Sequence, residues 1–331
     1  MKRILIPAGA GAALLVCGLL APRAASDSGF GSLVAQAVPK LPVSFNAIAI
    51  LRWYPANLTT SFPTAAGPQG VAFDGANIWI ANSNNNSVSE LRANDGAVVG
   101  TFPAGANPFG LAFDGANIWV TDHGSNTVTK LQASTGDTLG TFSVGTFPNG
   151  VAFDGANIWV ANLLTNNVTE LRASDGKLLG TFAVGNFPVG VAFDGAHIWV
   201  ANQNSNNVTE LQASNGALVG TFAVGKDPQG LAFDGADIWV ANSGSNNVTE
   251  LQASNGSVLG TFAVGSSPIG LAFDGTNIWV ANSGSNFVTK LRVGTGKNLG
   301  SFAVGNTPSW VAFDGVNIWV TNTNSNTVSK L

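Results

Sequence analysis

Val151-Ala152-Phe153-Asp154-Gly155-Ala156-Asn157-Ile158-Trp159-Val160-Ala161-Asn162 decides the architecture. Val-Ala-Phe is a short apolar run. Asp-Gly stops it with a dipeptide suited to a tight turn. Ile-Trp-Val is a second run, rich in the β-branched and aromatic residues that fit a pleated strand. Downstream, Asn167-Val168-Thr169-Glu170-Leu171 is a third run, Ser174-Asp175-Gly176 turns the chain, and Leu178 to Val184 is a fourth. A Gly-x-x-Pro-x-Gly link at Gly185–Gly190 then opens the same text again.

The unit recurs along most of the chain. Ala-Phe-Asp-Gly carries Phe73, Phe113, Phe153, Phe193, Phe233, Phe273 and Phe313, and Ile-Trp follows at Trp79, Trp119, Trp159, Trp199, Trp239, Trp279 and Trp319. The spacing is 40 residues each time, without insertion or deletion. Four β-like runs in such a repeat make one propeller blade. Apolar residues occupy both parities of the runs, which predicts blades covered on both faces by their neighbours. No segment shows sustained helical periodicity with caps, so no substantial helix is expected. The last unit stops at Leu331, after its third strand, whereas Asn57–Phe62 aligns with a fourth, Phe62 matching Phe182. Residues 52–331 amount to seven units of 40. The expected fold is therefore an all-β, seven-bladed β-propeller of four-stranded antiparallel blades over residues 57–331, closed by an N-terminal strand in the last blade.

The first residues differ in kind. Met1-Lys2-Arg3 is basic and Ile4 to Ala21 is apolar, the shape of a secretory signal. Residues 1–37 are read as signal peptide and c-region, with cleavage near 26 (after Ala24-Ala25) or near 37 (Ala35-Gln36-Ala37), and residues 38–56 as a lead-in. An uncleaved anchor is the alternative, although Pro7 and the glycines weaken it. Cys17 is the chain's one cysteine; Val16 before it is too large for a lipoprotein signal, and a cleaved chain has no thiol chemistry. The expected location is secreted or periplasmic, in the cell envelope. Charged residues are only 10% and net charge is −4, with no Lys/Arg run. A nucleic-acid partner needs a basic footprint, so that class is excluded, as is any membrane contact beyond the signal peptide.

Ile318-Trp319-Val320-Thr321-Asn322, and its Ile-Trp-Val-Ala-Asn counterparts, resemble the Tyr-Val-Thr-Asn signature of YVTN-family β-propellers. The Pro-x-Gly-Val-Ala-Phe-Asp opening is similar to NHL-repeat propellers. The resemblance covers residues 65–331 and implies the propeller fold. It also implies an exported binding or scaffold domain, with a few enzymes among the relatives.

Seven copies in one chain separate scaffold from site. A residue present in every blade serves blade geometry, whereas chemistry needs unlike groups brought together. The seven aspartates Asp74, Asp114, Asp154, Asp194, Asp234, Asp274 and Asp314 read as Asx caps of their turns, with a calcium-binding ring as the alternative. The tryptophans read as core aromatics. The first-to-second-strand turn is nearly constant, while the inter-blade link and the second-to-third-strand loop vary. These two connections lie at the same end of an up-and-down blade, so one face of the disc is diversified. On it, the residues after the inter-blade proline are expected to ring the channel mouth: Gln69, Phe109, Asn149, Val189, Gln229, Ile269 and Ser309. Phe147, Phe187, Leu163, Leu164, Phe287 and Trp310 add apolar groups nearby, either displayed for a ligand or folded inward. Trp310 replaces the glycine of the other six blades and is placed to plug the channel. Asp122, His123, Lys226 and Asp227 are the polar breaks.

No catalytic residue is assigned. His123 and His197 are the only histidines, and their repeat positions set them on opposite faces. Streptogramin-lyase relatives imply a histidine-centred, metal-assisted site, and lactonase-type propellers imply carboxylates and amides around a channel calcium; neither set is evident. The expected function is a monomeric binding or scaffold module whose varied face takes a protein, peptide or glycan, with a channel-metal hydrolase or lyase as the alternative. No cofactor is expected, with calcium as the alternative, and no residue is assigned as a metal ligand. Deleting residues 1–65 is expected to open the ring. The truncated chain then melts lower and elutes earlier in gel filtration than the longer one, and identical behaviour would contradict the closure.

Overall fold

Asp-Gly turns set the blades' frame. In blade 3 the Asp154 carboxylate accepts the Ala156 and Asn157 N–H groups at 2.8 and 2.6 Å, and Gly155 takes φ 100°. The turn joins an inner strand, Pro148–Phe153, to a second, Asn157–Asn162; a third, Asn167–Arg172, and an outer fourth, Leu178–Ala183, complete the antiparallel sheet. The computed structural model describes residues 60–331, so the signal-peptide and lead-in assignments fall outside the described residues.

Seven such sheets follow one another. Blades 1 to 6 begin at Pro68, Pro108, Pro148, Pro188, Pro228 and Pro268, and blade 7 at Pro308. Blade 7 takes three strands from the C-terminal end, Pro308–Phe313, Ile318–Asn322 and Thr327–Lys330, and its fourth from Ser61–Pro63. Phe62 pairs with Val328, and the Lys330 N–H donates to the Thr60 carbonyl at 2.7 Å. The ring is therefore closed as the sequence requires, and the third strand of blade 7 is paired on both sides as in the other blades.

The core lies between blades. Trp159 and Val168 pack with Ile198, Val200 and Leu211 of the next blade, and Trp319, Val328 and Phe62 do the same with Ile78, Ile80 and Leu91 across the closure. Six of the seven repeat tryptophans are fully buried, and Trp279 is 7% exposed. Burying each contributes roughly 4–6 kcal/mol as an upper figure. The outer-strand Phe182 stacks on Trp159 with centroids 5.4 Å apart, and Gly216 of the following blade lies against that same phenylalanine. A side chain at Gly216 has no room there.

The expected two-sided burial fails at the rim. Val98, Leu178 and Leu218 on outer strands are 60%, 56% and 65% exposed, with Val99, Leu139, Leu179, Val219, Val258 and Leu259 also open. Blades meet chiefly through their inner two strands, so cover from a neighbour falls away with distance from the axis. A single turn of 3-10 helix, Gln203–Ser205, is the one helical element among the described residues, none of which forms a helix long and apolar enough to cross a membrane.

Candidate functional site at the varied loop face

The inter-blade link has one backbone and many side chains. The residue before each proline is left-handed: Gly67, Asn107, Phe147, Phe187, Asp227, Ser267 and Thr307 have φ between 50° and 70°. Such φ values are uncommon for non-glycine residues and need external support. It comes from the preceding blade. Asn326, Asn86, Asn126, Asn166, Asn206, Asn246 and Asn286 each accept that residue's N–H on the side-chain oxygen at 2.9–3.0 Å. These asparagines themselves sit at φ 50–60°. In five blades a serine hydroxyl also accepts the preceding N–H, as Ser125 does from Ala106. The face is thus a fixed frame on which side chains change. Sequence reading missed this clamp, although its signal was present: a constant asparagine within an otherwise variable loop.

Inside the mouth, Gly70, Gly110, Gly150 and Gly190, with Val71, Leu111, Val151, Val191 and Leu231, line a cavity of about 60 Å³. Glycine is required there because a Cβ at Gly110 would lie 2.4 Å from the Asn149 carbonyl oxygen. Trp310 breaks the rule and contributes to the same lining. Its backbone N–H donates to Thr321 Oγ1 at 3.0 Å, and that hydroxyl donates to the Gln69 carbonyl of blade 1 at 2.7 Å. Thr121 repeats the device in blade 2, accepting from Gly110 N–H at 2.7 Å and donating to the Asn149 carbonyl at 2.6 Å. Five blades have alanine at this position.

The residues after proline do not all face solvent. Asn149, Val189 and Ser309 are buried, each 4% exposed, whereas Gln69, Phe109, Gln229 and Ile269 are half-buried. Four repeat-breaking rings converge instead. Trp310 and Phe109 meet at right angles with centroids 6.4 Å apart, Phe109 tilts on His123 at 5.7 Å, and His123 and Phe147 meet in a T-shaped pair at 4.4 Å. Phe147 is 38% exposed and Leu164 is 45% exposed beside half-buried Leu163 and Phe187. Phe287 is half-buried and turns onto Gly265 of the preceding link. Three polar atoms in this region, His123 Nδ1, Trp310 Nε1 and Asn149 Oδ1, are buried without a partner. Burial also lowers the His123 pKa, favouring the neutral ring.

Asp122 and His123 do not act as a pair. Asp122 is fully buried and accepts from Thr129 and Thr127 hydroxyls at 2.7 and 3.1 Å and from Gly105 N–H at 2.9 Å. It fills an internal post held by asparagine in the other six blades, and burial pushes its pKa up. Lys226 is exposed at the entrance to blade 5, and Asp227 serves as that link's left-handed residue; they form no ion pair with each other. The seven turn aspartates are caps, and their second oxygens accept the tryptophan indole N–H. For Asp114, Asp194, Asp274 and Asp314 burial opposes the charge, but the indole and other hydrogen bonds prevail and hold the pKa low. His197 opens the second strand of blade 4, at the end opposite His123. The side chains lining this cavity are aliphatic apart from the Trp310 indole, so its lining contributes no carboxylate, imidazole or amide side chain.

The family described as outer membrane protein assembly factor BamB matches residues 124–330, more than half of the chain. The chain belongs to that family. No curated protein matches it. Among solved structures, Kuenenia stuttgartiensis hydrazine synthase is similar with a TM-score of 0.73 at 20% identity, over 81% of this chain and 96% of that one. Virginiamycin B lyase from Staphylococcus aureus gives 0.70 at 18%, over 82% and 97%; a streptogramin B lyase structure gives 0.68 at 18%, over 82% and 95%. At such identities the likeness establishes the fold alone.

Asp122 allows a pH test. Its raised folded pKa means that the native state holds the proton more tightly than the unfolded chain, so its contribution is full at low pH and is lost as pH rises. Asp122→Asn restores the repeat residue and is expected to raise the melting temperature at pH 7. The gain should vanish below the ordinary carboxylate range. A gain that persists unchanged at pH 3, or a loss at pH 7, would refute the assignment.

Proposed function

We propose that the protein is an exported binding propeller that takes an apolar segment of a peptide or protein partner on the varied face, centred on Phe109, His123, Phe147 and Trp310. The carrying observation is the convergence of these four rings from positions where the repeat is broken. Aromatic side chains of limited conformational freedom are the usual anchors of recognition sites. The orphaned His123 Nδ1 and Trp310 Nε1 offer an acceptor or donor on small rearrangement, which would fix the orientation of a bound segment. The asparagine clamps support the reading further, because a rigid frame reduces the entropy lost on binding.

Membership of the outer-membrane assembly factor family and the leader-like residues 1–37 support a place in the cell envelope. The Ile318–Asn322 run and its Ile-Trp-Val-Ala-Asn counterparts support kinship with YVTN-type propellers, and the Pro-x-Gly-Val-Ala-Phe-Asp opening supports kinship with the NHL type. A channel-metal lyase or hydrolase draws no support from the apolar channel lining.

The test is capture from envelope extract by the immobilised full chain. Phe109→Ala with Phe147→Ala is expected to lower recovery of the captured species by roughly tenfold or more. Val316→Ser, at an 84%-exposed residue of the opposite face, should leave recovery unchanged. Equal recovery by the double variant, with its melting curve intact, would overturn the proposal.

A further inference from the structure

The seven blades are internal controls for one locus on the face opposite the varied loops. It comprises the turn aspartate, the residue three positions on, and the third-strand residue paired with tryptophan. In blades 1 and 3, Asn77 and Asn157 donate to Glu90 and Glu170 at 2.7 and 2.8 Å. Blades 2, 6 and 7 carry Lys130, Lys290 and Lys330 in place of the glutamate, each ammonium 4.6–5.2 Å from its tryptophan ring centroid. Lys290 Nζ also stands 3.7 Å from Asp274 Oδ2. In blade 4, His197 Nδ1 lies 3.2 Å from Asp194 and 3.4 Å from Glu210. Every one of these six blades supplies a donor or a cation.

Blade 5 supplies neither. Asp237 replaces the asparagine while Glu250 is retained. One carboxylate oxygen from each of Asp234, Asp237 and Glu250 lies within 4.8 Å of the others. Glu250 is only 4% exposed, is directed into this cluster, and has neither a hydrogen-bond donor nor an ion-pair partner among the described residues. We infer that Asp234, Asp237 and Glu250 bind a hard divalent cation of the calcium type.

The chemistry of each oxygen agrees. Asp234 Oδ1 accepts the Ala236 and Asp237 N–H groups, and Oδ2 accepts Trp239 Nε1 at 2.8 Å. Oδ2 retains a lone pair. Blade 6 shows that this pair faces a cation: Asp274 Oδ2 accepts Trp279 Nε1 at 2.7 Å while Lys290 approaches the same atom. The lysine ammonium there is the protein's own stand-in for the cation. All-oxygen carboxylate ligands at about 2.3–2.6 Å, completed by water on the half-open Asp237 side, suit calcium better than magnesium, which demands near-ideal octahedral geometry. Burial, then the neighbouring carboxylates Asp237 and Asp234, push the Glu250 pKa up to about 7. His197 already bridges its two carboxylates, so the blade 4 cluster is satisfied within itself.

Terbium luminescence, sensitised by Trp239, tests the site on the full chain, with calcium chloride as competitor. The expected result is one saturable terbium site per chain, displaced by calcium with an affinity on the order of 10⁻⁴–10⁻³ M. Asp237→Asn installs the donor of blades 1 and 3 and so retains the fold; it should weaken binding by about tenfold or more, as should Glu250→Gln. His197→Asn should bind as the parent does. Calcium should raise the melting temperature of the parent and not that of Asp237→Asn. Absence of a saturable site, wild-type binding by Asp237→Asn, or loss of the site in His197→Asn would each overturn the proposal. The first outcome would mean that the trio shares a proton instead.

Discussion

In each of the seven blades a repeat tryptophan donates its indole N–H, at 2.7–2.8 Å, to the aspartate that caps the turn before its strand. Two requirements meet in that bond. The large ring must be buried between blades to build the core, and a buried N–H without an acceptor is costly. The aspartate meets the need with its second oxygen while its first closes the turn. One carboxylate therefore fixes the turn, orients the ring and sets the distance to the next blade. Because the inner strands then approach closely, glycine is imposed along the channel, where a Cβ would strike the neighbouring carbonyl.

A scaffold so constrained leaves variation to a few places. At the varied face the asparagine clamps hold the link backbone in the same left-handed bend whether the side chain is Asn107, Phe147, Asp227 or Thr307. Phe147 is consequently displayed at the mouth, where it joins His123, Phe109 and Trp310. At the opposite face the constant Asp–Trp bond presents a free lone pair, and the adjoining positions choose what meets it: asparagine and glutamate, lysine, histidine, or three carboxylates. The same framework thus carries a recognition surface at one end and a graded set of charge environments at the other.

Much of the fold was legible because it rests on local signals repeated seven times. Asp-Gly turns, Ile-Trp-Val runs and the 40-residue spacing gave blade number and the pairing of Phe62 with the last blade. The aspartate–indole bond was not legible, since an Asx turn accounts for the same residue without it. The site was legible only in part. Position within the repeat located the mouth, but it could not show that Asn149, Val189 and Ser309 turn inward, or that Asp122 is an internal post. Those outcomes depend on packing from the neighbouring blade. The blade 5 carboxylates were hidden for a related reason: Asp237 looked like a minor change in a constant turn until Glu250, on another strand, was seen beside it. Outer-strand exposure of Leu178 and Leu218 likewise reflects the divergence of the blades, which alternation of residue types does not encode.

A double-mutant cycle in blade 3 measures the central bond directly. Urea unfolding of the parent, Asp154→Ala, Trp159→Phe and the combined variant gives the coupling between the two side chains. Mutual dependence of turn and core requires a coupling of roughly 1–3 kcal/mol, since Asp154→Ala leaves the buried Trp159 indole N–H unpaired and Trp159→Phe takes the indole donor from the half-buried Asp154 carboxylate. Additive losses, with a coupling near zero, would contradict the claim that this bond organises the blade.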